Sequence, residues 1–322
     1  MNILVTGYPG WLGSRLVERL LKESRHKLRV LCLRNIPVRA SSNLQIVRGD
    51  VRELYTLIEA TRDIDLVIHA AGIIHARPKT LIEVNAQGTL NMLRACEHNN
   101  VDRMIYISSN SAAGYTEDKV LMTEGTLRKP YMAYGKSKFL AEEYVNGYCT
   151  DGKIRALTLR PCWYYFSNQP PRQTRLFKMI QSGRPIIFGD GLNIRSMTYI
   201  DNLVDAILLA IESPFTNRTY WIADERPYTI NEIYETIADL LNVEDFNPIH
   251  IPKIASDLAR VGDKALQKLG LYSTYLHVAG EMSLNIACSI ERARRELGYE
   301  PRVSLREGMK RSIEWCRKKG LL

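Results

Sequence analysis

No stretch of the 322 residues approaches the ~18 consecutive apolar positions that a membrane-spanning helix needs. The first strand signal begins at Asn2, which leaves no room for a signal peptide. Cysteine is sparse and scattered: Cys32, Cys96, Cys149, Cys162, Cys288 and Cys316 form no Cys-x-x-Cys pair. That pattern fits buried thiols in a reducing cytoplasm and argues against disulfides or zinc. His69 and His75 have no Asp, Glu or Cys at ligand spacing, so both read as structural and no metal is expected. The chain is basic, with a formal net charge of +9, yet it holds no Lys/Arg block interleaved with aromatic residues. Small anionic ligands, and not nucleic acid, are therefore the expected partners. No internal repeat, low-complexity tract or long linker interrupts the sequence.

What remains is the composition of a globular chain, 45% hydrophobic and 25% charged, long enough to bury a large core. Its first sixteen residues read as a buried strand, a turn with Gly7, Gly10 and Gly13, and a helix with Leu12, Leu16, Val17, Leu20 and Leu21 on one face. Glycines at such a turn let the backbone swing sharply and approach a ligand. The amides opening the helix, at Trp11, Leu12 and Gly13, together with the helix dipole, favour a pyrophosphate. Strand, turn and helix then alternate: strands at Lys27–Leu33, Leu44–Val47, Asp65–His69, Met104–Ile107 and Ile154–Pro161, with a long helix over Thr80–Glu97. This alternation implies an α/β fold, a doubly wound parallel sheet of the dinucleotide-binding (Rossmann) type, with ligands beyond the carboxyl ends of the strands.

A dinucleotide fold places its ribose-reading residue at the end of the second strand, about twenty residues past the glycines, and an acid there suits NAD. Here the residues are Arg34 and Asn35, with no acid. A guanidinium suits a 2′-phosphate, so NADP is expected over NAD, with Arg15 and Arg39 able to assist; a solvated arginine is the plain alternative. Asp50, with the amide of Val51, can read an adenine edge or simply cap the next helix. Ala70, Ala71 and Gly72 let backbone lie against a cofactor, or merely pack closely.

The chemistry is expected around residues 130–142. Tyr134 and Lys138 are four apart and share a helix face. An ammonium beside a phenol favours the phenolate, and such a tyrosine can exchange a proton with an alcohol while hydride passes to or from a nicotinamide. Tyr131 lacks this partner, because Lys136 falls on another face.

These residues give the chain a resemblance. It resembles an extended short-chain dehydrogenase/reductase of the NAD(P)-dependent epimerase/dehydratase branch, over nearly its whole length. The matching positions include Thr6-Gly7…Gly10…Gly13, Asp50-Val51, His69-Ala70-Ala71, Asn85…Gly88-Thr89, Ser108-Ser109, Tyr134…Lys138 and Arg160-Pro161. They continue through Gly189-Asp190-Gly191, Arg195-Ser196, Tyr199-Ile200-Asp201-Asn202 and Leu297-Gly298-Tyr299…Pro301. The resemblance implies that Tyr134 is the acid/base, that Lys138 tunes it and holds the nicotinamide ribose, and that Ser109 (or Ser108, one residue away) bonds the reacting oxygen. Asn85 is a cofactor-side contact or only a helix residue, and Pro161 lies on the cofactor side. Ser111, Cys162, Trp163 and Arg195 fall on the substrate side. Arg195 matches an arginine that contacts a nucleotide-sugar diphosphate, with a salt bridge to a nearby acid as the alternative. Asn110 and Ser111 stand where the family's dehydratases carry an acid pair, which argues against elimination.

The implied enzyme acts on a secondary alcohol or ketone of a nucleotide-sugar as an epimerase or reductase. A reductase of a sterol-like or phenolic substrate, and a non-catalytic NADP sensor, are the alternatives. The family's usual Gly-Pro turn is replaced by Cys162-Trp163-Tyr164-Tyr165-Phe166, an aromatic cluster that lines an apolar pocket or packs ordinarily. Residues 1–165, joined by about 196–226, are expected to form the dinucleotide domain, and about 166–195 with 227–322 the substrate domain. Pro170–Arg175 reads as a polar loop, and the Ile254–Leu284 stretch as a core-facing helix in preference to a membrane-surface one. A cytoplasmic homodimer, pairing through the helices at 80–97 and 134–148, follows by analogy.

Overall fold

The computed structural model describes residues 1–38, 43–116, 118–215 and 217–322; Arg39 lies outside the described residues. In chain order the elements are β1 (Asn2–Thr6), α1 (Trp11–Glu23), β2 (Lys27–Cys32), β3 (Leu44–Arg48), α2 (Leu54–Thr61), β4 (Leu66–His69), α3 (Pro78–Leu81), α4 (Gly88–His98), β5 (Arg103–Ile107), α5 (Met132–Thr150) and β6 (Arg155–Pro161). Then follow β7 (Trp163–Tyr165), α6 (Pro171–Gln181), β8 (Ile186–Phe188), β9 (Ile194–Arg195), β10 (Met197–Tyr199), α7 (Ile200–Glu212), β11 (Arg218–Ile222), β12 (Tyr228–Thr229) and α8 (Ile230–Leu241). The chain ends with β13 (Ile249–Ile251), α9 (Lys253–Lys268), α10 (Thr274–Glu281), α11 (Glu291–Leu297) and α12 (Leu305–Lys318).

Seven strands form one sheet in the order β3-β2-β1-β4-β5-β6-β11. The order reverses beside β1, which runs parallel to both β2 and β4; β2–β3, β4–β5 and β5–β6 are parallel as well. β1 and β4 are buried along nearly their whole length, as a doubly wound sheet covered on both faces requires. The fold is the expected Rossmann-type α/β sheet, and its carboxyl ends at the β1/β4 switch point bring out Gly7 and Ala70.

The chain divides into two units: residues 1–113, 127–160 and 204–220, and residues 114–126, 161–203 and 221–322. The boundary departs from the sequence expectation because residues 114–126 bridge to the second unit's own backbone, Thr116 to Asn285 and Met122 to Cys288. The first unit's core gathers Leu4, Val67, Met92, Met104 and Val145; the second's gathers Phe177, Ile180, Met197, Ile233, Ile237 and Met309.

Three local expectations are corrected. Pro170–Arg175 is not a loop, since α6 begins at Pro171. Proline is tolerated at the first helical position, and Phe177 and Ile180 on the inward face anchor the turn. The helix expected over 80–97 is broken by a π-helical turn at Ile82–Gln87. The 254–284 stretch is two helices, and its apolar stripe does not face the core: Ile254, Leu258, Val261 and Leu269 are all at least 63% exposed.

Candidate active site

Gly7 has φ +84°, and a Cβ there would lie 2.7 Å from the Ala70 carbonyl carbon. Cβ atoms at Gly10 and Gly13 would lie 2.6 and 2.5 Å from the Gly7 carbonyl oxygen, which the Gly10 N–H already bonds at 2.8 Å. The turn closes only on glycine. α1 then opens at Gly10 with no side-chain cap hydrogen bond. Uncapped amides at the positive end of a helix fit a pyrophosphate.

Beside this turn a buried polar chain locks the strand ends. Thr6 Oγ1 bonds His69 Nδ1 at 2.9 Å and accepts from the Ala71 N–H at 3.0 Å, while His69 Nε2 meets Thr89 Oγ1 at 3.2 Å. Burial, then the Lys138 charge, pushes the His69 pKa down to about 3, so the ring is neutral and structural. His75 is exposed. Among the described residues no group of three His, Cys, Asp or Glu is placed to hold a metal ion.

Asn85 sits in the π-helical turn and is fully engaged. Its Oδ1 accepts from the Ile73 N–H, and its Nδ2 donates to the Ile73 carbonyl and to Ser137 Oγ, each at 2.9 Å. Gly72 lies against the same spot: a Cβ there would be 3.1 Å from Asn85 Oδ1 and 3.4 Å from Lys138 Nζ. Asn85 thus ties the loop after β4 to α5, a bracing role.

Tyr134 and Lys138 both lie on α5, whose first turn packs on the segment after β5. A Cβ at Gly135 would lie 2.3 Å from the Ser111 carbonyl oxygen, and the Tyr131 N–H donates to that oxygen at 3.1 Å. Close approach at Gly135 thus seats the first turn of α5 on Ser111. Lys138 is 5% exposed and donates from Nζ to the Ile107 carbonyl at 2.9 Å. Burial lowers its pKa to about 8, against the opposing pull of Glu142.

The two serines have different surroundings. Ser108 Oγ donates to Glu142 Oε1 at 2.5 Å. Ser109 Oγ accepts from the Ser111 N–H and donates to Asn110 Oδ1, both at 3.2 Å. Behind Ser108, the buried Glu142 carboxylate accepts from Arg160 Nε at 2.8 Å and Nη2 at 2.6 Å, and from Arg128 Nη1 at 3.1 Å. Sequence reading gave Glu142 no role, although Tyr134, Lys138 and Glu142 recur every four residues on one helix face.

Arg34 is exposed at the end of β2, where Nη2 donates to Tyr55 Oη at 2.5 Å and to Glu53 Oε2 at 3.2 Å. Arg15 pairs with Glu18 within α1. Asp50 does not cap α2: the N-cap is Glu53, and Arg52 holds the Asp50 carboxylate through its N–H and guanidinium. Val51 is buried against Gly88, and its carbonyl accepts from Asn91 Nδ2 at 3.1 Å.

In the second unit Arg195 is buried, and its two terminal nitrogens donate to the Glu281 carboxylate and backbone carbonyl. The ion pair, the alternative left open by the sequence, is what the structure contains. Cys162 is buried with Sγ 3.5 Å from Cys288 Sγ, and its N–H donates to Thr198 Oγ1. Trp163 begins β7, parallel to β10, and Tyr165 and Phe166 pack on Tyr199 at ring distances of 5.3 and 5.4 Å. That part of the aromatic cluster is ordinary packing.

The model of the NAD dependent epimerase/dehydratase family matches residues 3–223, more than half of the chain. The chain belongs to that family. The chain has the Rossmann-type sheet of that family and is an enzyme. Protein y4nL of Sinorhizobium fredii (strain NBRC 101917 / NGR234) is 38% identical over 341 residues, covering 99% of this chain and 96% of its own. A putative UDP-glucose 4-epimerase of Methanocaldococcus jannaschii is 26% identical, covering 98% of each chain. A 2-alkyl-3-oxoalkanoate reductase of Stenotrophomonas maltophilia is also 26% identical, covering 97% of this chain and 98% of its own.

Proposed function

We propose that this family member transfers hydride at a secondary alcohol or ketone of a nucleotide-sugar, as an epimerase or reductase. The placement of Tyr134 and Lys138 one turn apart on α5, whose Gly135 packs on the Ser111 carbonyl, carries the reading. Tyr134 exchanges a proton with the substrate oxygen. Ser109 donates to that oxygen, and the buried Lys138 ammonium favours the phenolate. A bound nicotinamide cofactor supplies and accepts the hydride. Gly7, Gly10, Trp11, Leu12 and Gly13 would hold its pyrophosphate, Asp50 and Val51 its adenosine, and Ala70–Gly72 its nicotinamide side. NADP is preferred through Arg34: its exposed pairing with Glu53 is a weak surface contact, readily exchanged for a 2′-phosphate. The enzyme works in the cytoplasm as a homodimer.

Arg195 favours a second reading. Its two terminal nitrogens already serve Glu281 and, among the described residues, only the buried Nε lacks a hydrogen-bond partner, so a diphosphate competes with that pair, whereas an apolar ketone does not. One melting experiment separates the two. If the substrate is a nucleotide-sugar, UDP raises the melting temperature of wild type and not of Arg195→Ala; a reductase of an apolar ketone shows no UDP shift in either. Nucleotide released on denaturation separates the two chemistries. Tightly retained cofactor supports an epimerase, which returns its hydride to the same substrate; an empty site that binds NADPH over NADH supports a reductase.

A further inference from the structure

The second unit contains a helix turned inside out. On α9 the buried positions are polar: Ser256 Oγ donates to the Ala279 carbonyl at 2.7 Å and accepts from Ser283 Oγ at 2.8 Å. The Asp263 carboxylate, fully buried, bonds His277 Nδ1 at 2.8 Å and both its oxygens accept from Gln267. These bonds fasten α9 to α10, and the helices meet so closely that a Cβ at Gly280 would lie 2.8 Å from Arg260 Cα. The opposite face of α9 carries Ile254, Leu258 and Val261, spaced by four and three, and all of them are exposed. Leu269, Leu271 and Tyr275 extend the patch past the end of α9 into α10, Tyr275 at 80% exposure.

The exposed charges of α9 have one sign. Lys253, Lys264 and Lys268 are exposed on α9, and by helical spacing all three flank the apolar stripe on the same side. The three acids between 253 and 281 are all engaged: Asp257 pairs with Arg260, Asp263 with His277 and Glu281 with Arg195. Antiparallel packing of a second copy on this stripe would bring lysines against lysines. An anionic bilayer surface complements both features, taking the stripe at the level of the acyl chains while the lysines reach the headgroups. With 16 residues α9 is too short to span a bilayer, so it lies in the plane.

We propose that α9, with the start of α10, docks the protein on anionic lipid surfaces as a peripheral, reversible contact. The inference does not depend on the substrate. The test is flotation of the full chain with vesicles of phosphatidylcholine alone and of phosphatidylcholine with phosphatidylglycerol. The expected result is flotation with the anionic vesicles only, reversed by salt. Leu258→Asp with Val261→Asp, and separately Lys264→Glu with Lys268→Glu, should each reduce it at least ~10-fold with the melting temperature unchanged. Three outcomes overturn the proposal. One is no flotation of wild type, and another is flotation that survives both pairs of substitutions. The third is a wild-type dimer in solution that Leu258→Asp dissociates, which would assign the stripe to a second copy.

Discussion

Ser108 Oγ donates to Glu142 Oε1 at 2.5 Å, and that bond separates two adjacent serines into different jobs. Ser108 completes the shell of a buried carboxylate, and Ser109 is the hydroxyl that the proposed function assigns to the substrate. Ser108→Ala removes one donor from a carboxylate that is 2% exposed, so it should lower stability by about 1–3 kcal/mol, read as a drop in melting temperature. Ser109→Ala should leave the melting temperature nearly unchanged and reduce kcat at least ~10-fold. The reverse pattern would exchange the two assignments.

Lys138 sets an alkaline limit. Burial holds its pKa near 8, below the ordinary lysine value, so its charge is lost as pH rises through 8. On the proposed mechanism Tyr134 then loses the cation that favours its phenolate, and kcat/KM should fall with a limb near pH 8. Lys138→Gln should lack that limb and be slower throughout, by about 10²–10⁴-fold. For stability the sign is opposite. The cost of burying the ammonium is complete below pH 8 and is relieved between pH 8 and 10.5.

His69 contributes acid sensitivity. Its pKa is about 3 in the folded chain against 6.5 for an ordinary histidine, so below pH 6.5 the unfolded chain binds a proton that the folded chain refuses. Stability from this group falls as pH drops from 6.5 towards 3, by about 2 kcal/mol at pH 5. Denaturant titrations of wild type and His69→Gln should converge in their pH dependence above pH 7 and separate below pH 6. Asp224, raised to about 7 by burial, carries a slope of opposite sign and is common to both proteins, so the difference isolates His69.

Two glycine-to-alanine substitutions should act in opposite directions. A Cβ at Gly13 meets the Gly7 carbonyl oxygen at 2.5 Å, and backbone cannot move aside cheaply. Gly13→Ala should cost about 1–3 kcal/mol and abolish cofactor binding measured by calorimetry. Gly147 lies within α5, and an alanine methyl at that position would meet nothing within 4 Å. Gly147→Ala should stabilise by about 0.5–1 kcal/mol and leave cofactor affinity unchanged.

The sequence by itself determined what depends on near neighbours. The glycine turn before α1 and the four-residue spacing of Tyr134 and Lys138 are local geometry, and strand–helix alternation is enough to imply a doubly wound sheet. Only the tertiary structure decided what depends on which partner arrives. Glu142 stands on the same helix face as Tyr134 and Lys138, but its burial rests on Arg160 from β6, brought beside α5 by the fold. The π-helical turn at Asn85 is sustained by bonds to Ile73 and Ser137, which no helical period records. The same limit governs α9. Periodicity shows that the helix has an apolar face and a polar face, yet hydrophobic spacing carries no direction. The Asp263–His277 and Ser256–Ser283 bonds turn the polar face inward, because buried polar groups with complete partners hold two helices together as well as an apolar seam does.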